Sequence, residues 1–159
     1  KPLGIVVEMG RMVTGPYGYL VTRVRHIKET YKSYVGIDAS ISDLMGPGIY
    51  GAYHHITLLD RVSIMNKINP IKLKLFDITG SIYEYNDKFA IDRYLPDNIK
   101  MGDILVIHDV GAYSYSMGFN YGGKLRSAEY LLKEDSTVEL IRQPETLKDY
   151  FATISFNEL

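Results

Sequence analysis

Ile71-Lys72-Leu73-Lys74-Leu75-Phe76-Asp77-Ile78-Thr79-Gly80 sets the architecture. Ile71, Leu73 and Leu75 alternate with Lys72, Lys74 and Phe76, the two-residue period of a half-buried strand. Such a strand needs partners, and runs of similar character lie on both sides of it. Residues 20–27 are β-branched and basic, with Val21, Thr22 and Val24. Residues 31–38 alternate Tyr31, Ser33, Val35 and Ile37 against Lys32, Tyr34, Gly36 and Asp38. Residues 53–59 read as another strand, and Gly102-Asp103 turns into a further one at 104–107. Residues 128–133 and 137–141 read as a hairpin across Glu134-Asp135-Ser136. Residues 3–7 form a short apolar run that suits a strand covered on both faces. Many short strands with turn residues between them predict a mainly β fold, an antiparallel barrel or sandwich with a few short helices.

Helix signals are sparse. Gly15, Pro16 and Gly18 disfavour a long helix over 13–19. Residues 41–45 predict one helical turn, stopped by Gly46-Pro47-Gly48. Only 144–151 reads as a helix, with Pro144 near its first position and Leu147, Tyr150 and Phe151 on one apolar face. No internal repeat or low-complexity linker is visible. The chain reads as a leading segment, 1–20, and one β domain, 21–159.

The 159 residues suit about one domain. They are too few for a complete (β/α)₈ barrel, which needs roughly 200–250 residues. A net charge of −1, from 18 bases and 19 acids, argues against a nucleic-acid partner. With no cysteine, the chain has no disulfide, zinc ribbon or catalytic thiol of its own, which suits a cytoplasmic location. No apolar run approaches the roughly 18 residues of a membrane-spanning helix, so no membrane partner is expected. Lys1-Pro2 leads directly into strand-like sequence, without a signal peptide. A first residue that is not Met suggests a piece of something longer.

The residues alone give modest chemistry. His54 and His55 are adjacent on a probable strand and point to opposite faces, so they cannot easily chelate one metal. No metal site is expected. Glu84 and Asp87 could contact a cation or share a proton, although a solvated turn is the plainer reading. No glycine cluster matches a phosphate loop. Tyr113 follows an apolar strand, where a phenol can donate to a phosphate or carboxylate, but a core tyrosine with a satisfied hydroxyl is the commoner case.

Several segments, in order, resemble the fold-type-III, pyridoxal-phosphate-dependent amino-acid decarboxylases. Glu8-Met-Gly-Arg11 resembles their EPGR, Gly80-Ser-Ile-Tyr-Glu-Tyr-Asn-Asp87 their GxxCExxD, and Gly111-Ala-Tyr113 their GAY. The stretch from Ser42 to His54, ending Tyr50-Gly-Ala-Tyr-His, is similar to RPxxYGAYH of the diaminopimelate branch. Asn120-Tyr-Gly-Gly-Lys-Leu-Arg126-Ser-Ala-Glu129 and Arg142-Gln-Pro-Glu-Thr resemble that branch's YNGKLRPAE and RRPET. The segments run through nearly the whole chain in family order.

The resemblance implies the C-terminal β domain of a diaminopimelate-decarboxylase-like lyase, which converts meso-diaminopimelate to L-lysine and CO₂. It implies pyridoxal 5′-phosphate as cofactor and a small amino-acid substrate. The implied partners are an N-terminal cofactor-binding barrel and a second subunit in a head-to-tail homodimer. Arg11 would bind a substrate carboxylate, with Gly10 beside the cofactor, and Tyr50 would touch the substrate. Tyr83 would take the place of the catalytic Cys. Glu84 would reach across the dimer to the distal amino group, with Asp87 supporting that turn and the substrate site. Tyr113 would hydrogen-bond the cofactor. No lysine here matches the family's Schiff-base lysine, so the isolated chain is expected to be inactive.

Three positions depart from the family. Gly46 stands where the diaminopimelate branch has a substrate-clamping Arg, Tyr83 replaces the Cys, and Met9 replaces the Pro before Gly10. They leave two alternatives: a decarboxylase with an altered substrate, or a non-catalytic dimerisation module.

Overall fold

The computed structural model describes residues 3–59 and 72–155. Lys1, Pro2 and Ile71, all used in the strand readings above, lie outside the described residues. The chain separates into two compact units, Lys1–Gly118 and Phe119–Leu159.

The first unit is built on six strands: β1 (Leu20–Glu29), β2 (Ser33–Ile37), β3 (Ile56–Leu59), β4 (Leu73–Thr79), β5 (Lys88–Pro96) and β6 (Ile104–Ile107). Their order is β3-β6-β1-β2-β4-β5, a nearly closed, barrel-like sheet. Strand β1 makes the corner. Its first half pairs antiparallel with β6, Leu20 opposite Ile107, and its second half pairs antiparallel with β2, Ile27 opposite Val35. A bulge between Val24 and His26 lies where it changes partner. Bulges bend and twist strands in this way. Arg93 on β5 donates from Nη1 to the His54 carbonyl at 2.9 Å, tying the last strand of the order to the approach to the first.

Alternation fills the interior. Val24, Val35, Ile37, Phe76, Ile78, Phe89, Leu105 and Ile107 are buried in one cluster. Each such side chain contributes roughly 1.5–3 kcal/mol by leaving water. The rim carries ion pairs, among them Lys32 Nζ with Asp77 at 3.2 Å and Asp92 at 2.8 Å, and Lys74 with Glu29.

The mainly β expectation holds, with corrections in both units. On β4 the inward side chains are Phe76 and Ile78, while Leu73 and Leu75 are exposed, so the alternation read over 71–76 has the opposite phase. Residues 3–7 are not a strand: Leu3, Ile5 and Val6 are exposed, and apolar composition makes no strand without an edge to pair with. The β2–β4 pair is parallel, Val35 opposite Ile78, in an otherwise antiparallel sheet. Gly46-Pro47-Gly48 begins helix α2 (Gly46–Tyr50) instead of ending one, because Pro sits comfortably in a first turn. Strand β5 has no counterpart in the sequence reading. Strand β3 starts at Ile56, not at 53. The segment over 13–19 holds the end of the short helix α1 (Gly10–Thr14) and a 3₁₀ turn, Gly15–Tyr17, with Pro16 early in it.

The second unit holds the expected hairpin, β7 (Glu129–Leu132) with β8 (Val138–Arg142). Helix α3 (Leu147–Tyr150) begins later than Pro144 suggested. Its N-cap is Thr146, whose hydroxyl accepts from the Asp149 N–H while Asp149 accepts from the Thr146 N–H. This reciprocal capping satisfies two otherwise open donors. Glu145 Oε2 accepts from Asn120 Nδ2 at 2.5 Å and the Arg126 N–H at 2.9 Å.

Candidate active site

Backbone contact brings the two ends of the first unit together. The Val110 N–H donates to the Gly18 carbonyl, and the Gly111 N–H to the Gly15 carbonyl, both at 3.0 Å. The chains approach closely enough to require glycine. A Cβ on Gly111 would lie 1.9 Å from the Thr14 carbonyl oxygen, and one on Gly18 would lie 2.3 Å from the Gly111 nitrogen. This seam fixes the segment after β6 against the segment after α1. Asp109 and Tyr113 flank it, both at φ 61°. Left-handed backbone at residues other than glycine is strained, and such strain concentrates at functional sites.

Beside the seam lies a cavity of about 770 Å³. That is the size of a small-molecule site. Gly10, Arg11, Gly46, Tyr50, His54 and Tyr113 line it. Four expected site residues, Gly10, Arg11, Tyr50 and Tyr113, thus share one wall, although up to about a hundred positions separate them. Arg11 makes no ion pair among the described residues, so its guanidinium is available to an anion. Glu8 and Asp109 put carboxylates into the same cavity. A wall with both signs of charge suits a zwitterion.

Tyr83, Glu84 and Asp87 lie on the 80–87 turn and do not line this cavity. Tyr83 is fully exposed, and Tyr85 nearly so, with the Lys88 ammonium 4.0 Å from its ring centre. Glu84 is exposed. Asp87 is buried: Oδ1 accepts the Ile41 N–H at 2.8 Å and Oδ2 the Ile82 N–H at 2.9 Å. Its carboxylate pins the turn that carries Tyr83 and Glu84. Within one chain, then, the expected residues fall into two groups, one around the cavity and one on an exposed turn.

The paired histidines separate as their parity predicts. His55 is exposed and His54 buried. The His54 Nδ1 lies 2.9 Å from the His108 carbonyl oxygen, and the His108 Nε2 lies 2.9 Å from Thr57 Oγ1. No cluster of three His, Asp or Glu residues among the described residues could hold a metal. Nor is any helix there long and apolar enough to cross a membrane. Sequence reasoning did not single out His54 or Asp109 for the cavity. Parity showed that one of the two histidines turns inward but not which, and the positive φ of Asp109 has no sequence signature.

Electrostatics distinguish Asp38, at the end of β2. Burial pushes its carboxyl up, but the Thr22 hydroxyl at 2.6 Å, the Arg23 N–H at 2.9 Å and Arg25 together outweigh that and hold it below the usual carboxylate range.

Comparison with known proteins agrees with this fold. The family described as "Pyridoxal-dependent decarboxylase, C-terminal sheet domain" matches residues 12–111. Protein TabA of Pseudomonas amygdali pv. tabaci is 43% identical over 96% of this chain and 34% of its own length. Diaminopimelate decarboxylase of Methanothermobacter thermautotrophicus is 41% identical over 90% of this chain and 32% of its own. The crystal structure of diaminopimelate decarboxylase from M. jannaschii superposes with a TM-score of 0.80 at 37% identity, covering 92% of this chain and 32% of that one. The chain therefore spans about a third of the length of the curated relatives it matches. With its whole six-stranded sheet inside the matched residues 12–111, the chain belongs to the pyridoxal-dependent decarboxylase family, as the C-terminal sheet domain.

Proposed function

We propose that this chain supplies part of the active site of a pyridoxal-phosphate-dependent decarboxylase acting on a small amino acid related to diaminopimelate. The convergence of Arg11, Tyr50 and Tyr113 on one cavity carries this reading. The donor set fits both the cofactor and an amino acid. Arg11 offers a guanidinium fork to a carboxylate. Tyr113 offers a neutral phenol to the cofactor or its phosphate, beside the open backbone at Gly10, where a Cβ would meet nothing within 4 Å. Bound pyridoxal phosphate supplies the electron sink for the carbanion left when CO₂ departs.

The chain's own residues do the rest. Arg11 holds a substrate carboxylate, and Tyr50 packs against the substrate. Tyr83 and Glu84, carried on the turn pinned by Asp87, reach a second subunit's site in a homodimer. There the Tyr83 phenol holds a proton for the product carbon, and Glu84 takes a distal ammonium. Two exposed aromatic rings on one short turn support a covering partner, because such area tends to be buried on association. Bare Gly46 on the cavity wall means a substrate whose clamp differs from that of the diaminopimelate branch. An N-terminal barrel carries the cofactor lysine, and this chain alone is inactive.

The test uses the full-length protein: the visible absorbance of bound pyridoxal phosphate, then CO₂ release from meso-diaminopimelate and from lysine-like analogues. A bound cofactor with CO₂ release is the expected result. No bound cofactor would leave the domain as a dimerisation module and end the enzyme reading.

A further inference from the structure

We infer that the Nε2 atom of His54 is a specificity-determining hydrogen-bond acceptor for a donor group on the substrate, at a point of the cavity left open by Gly46. The inference rests on the decarboxylase reading above and deepens it.

A carbonyl oxygen can only accept, so the contact between His54 Nδ1 and the His108 carbonyl places a hydrogen on Nδ1. In the neutral ring, Nε2 then carries a lone pair. The residue is only 4% exposed, and Nε2 has no partner among the described residues. Yet no buried side-chain nitrogen or oxygen there lacks a partner. Nε2 therefore keeps an opening, and His54 lines the cavity. Gly46 lines it too, and a Cβ there would stand 3.6 Å from Nε2. Any long side chain at position 46 would begin beside this nitrogen; glycine leaves it bare.

His54 is also held in place. Arg93 Nη1 grips its backbone carbonyl at 2.9 Å, while the Arg93 guanidinium lies 4.3 Å from the Tyr53 ring centre. A fixed acceptor whose alternative is to remain unpaired discriminates strongly between ligands with and without a donor. Arg11 remains the cavity's cation for a carboxylate. His54 then selects a second group of a different kind: a hydroxyl, an amide N–H, or an ammonium, whose three N–H donors can serve both His54 Nε2 and the carboxylate of Glu84. A carboxylate placed there would set lone pair against lone pair.

The test is calorimetric binding of L-lysine and L-norleucine to the full-length holoprotein. The two ligands share the same six-carbon chain, and lysine carries an ammonium where norleucine carries only hydrogen. His54→Asn keeps an N–H for the His108 carbonyl and withdraws the acceptor from the cavity. His54→Gln reaches the Nε2 position with an oxygen. The wild-type preference for lysine should fall about tenfold or more in His54→Asn, with norleucine affinity unchanged, and recover in part in His54→Gln. An unchanged preference in His54→Asn would overturn the inference, as would equal weakening of both ligands in both variants. Failure of both ligands to bind the wild type would overturn the decarboxylase reading, and this inference with it.

Discussion

Asp87→Asn perturbs the turn on which the shared-site account depends. The buried carboxylate accepts one backbone N–H on each oxygen, from Ile41 at 2.8 Å and Ile82 at 2.9 Å. An amide of the same shape keeps one acceptor and turns an NH₂ toward the other N–H. One charge-assisted bond disappears and a buried donor is left facing a donor. Each effect alone is worth about 1–3 kcal/mol, and they overlap, giving a loss of about 2–4 kcal/mol. For a chain of this size that lowers Tm by about 5–15 °C. Urea unfolding is the assay: the midpoint should fall while the slope stays constant, because the surface exposed on unfolding is the same. A loss below about 0.5 kcal/mol would refute the claim that Asp87 pins the 80–87 turn.

Other outcomes follow from the same geometry. Gly111→Ala forces a Cβ into the Thr14 carbonyl, 1.9 Å away, and should destabilise the chain by about 1–3 kcal/mol or more in the same urea assay; neutrality would contradict the seam. Asp38 adds stability above the ordinary carboxylate pKa of 3.8, and this is lost as pH falls through its depressed folded value. Asp38→Asn should therefore flatten the acid limb of a stability-against-pH curve, and a curve parallel to wild type would count against it. In the full-length protein, Gly46→Arg adds a cation to the cavity wall with only ordinary contacts at its Cβ, Ala52 and His54 each at 3.6 Å. Affinity for a substrate with a second carboxylate should rise about tenfold or more, and no gain in a binding titration would place position 46 away from that group. The full-length protein should be a dimer by light scattering at micromolar concentration; a monomer would remove the role given to Tyr83 and Glu84.

Much of the barrel was legible as short strand-like runs between turns, but the two-residue period holds only in part, since β2 and β4 each bury three consecutive residues. Val35 and Ile37 are buried in the phase read over 31–38, whereas Leu73 and Leu75 are exposed and Phe76 is buried, opposite to the apolar phase read over 71–76. Strand β5 was hidden for a local reason. Asp92 at φ 49° and the register slip opposite Phe76 and Ile78 break the alternation, so Lys88–Pro96 shows apolar residues in no single phase. The parallel β2–β4 pairing depends on how the intervening chain crosses over, which no local pattern records. Pro was read as a stop at α2, where it sits in the first turn, and as a start at α3, where the Thr146 and Asp149 cap sets the first residue instead. The site was partly legible. Family-like segments located Arg11, Tyr50 and Tyr113, and the cavity joins them. The inward turn of His54 depends on long-range packing against His108 and Arg93, and no spacing in the sequence encodes it.

The most direct test of the account is the kinetics of Arg11→Met in the full-length protein, which keeps an unbranched apolar stem and removes the charged guanidinium. The account predicts retained cofactor absorbance with kcat/KM for decarboxylation lowered about tenfold or more, mainly through KM, as expected for loss of a charge-assisted carboxylate contact. An unchanged kcat/KM would show that the cavity around Arg11, Tyr50 and Tyr113 is not where the substrate binds.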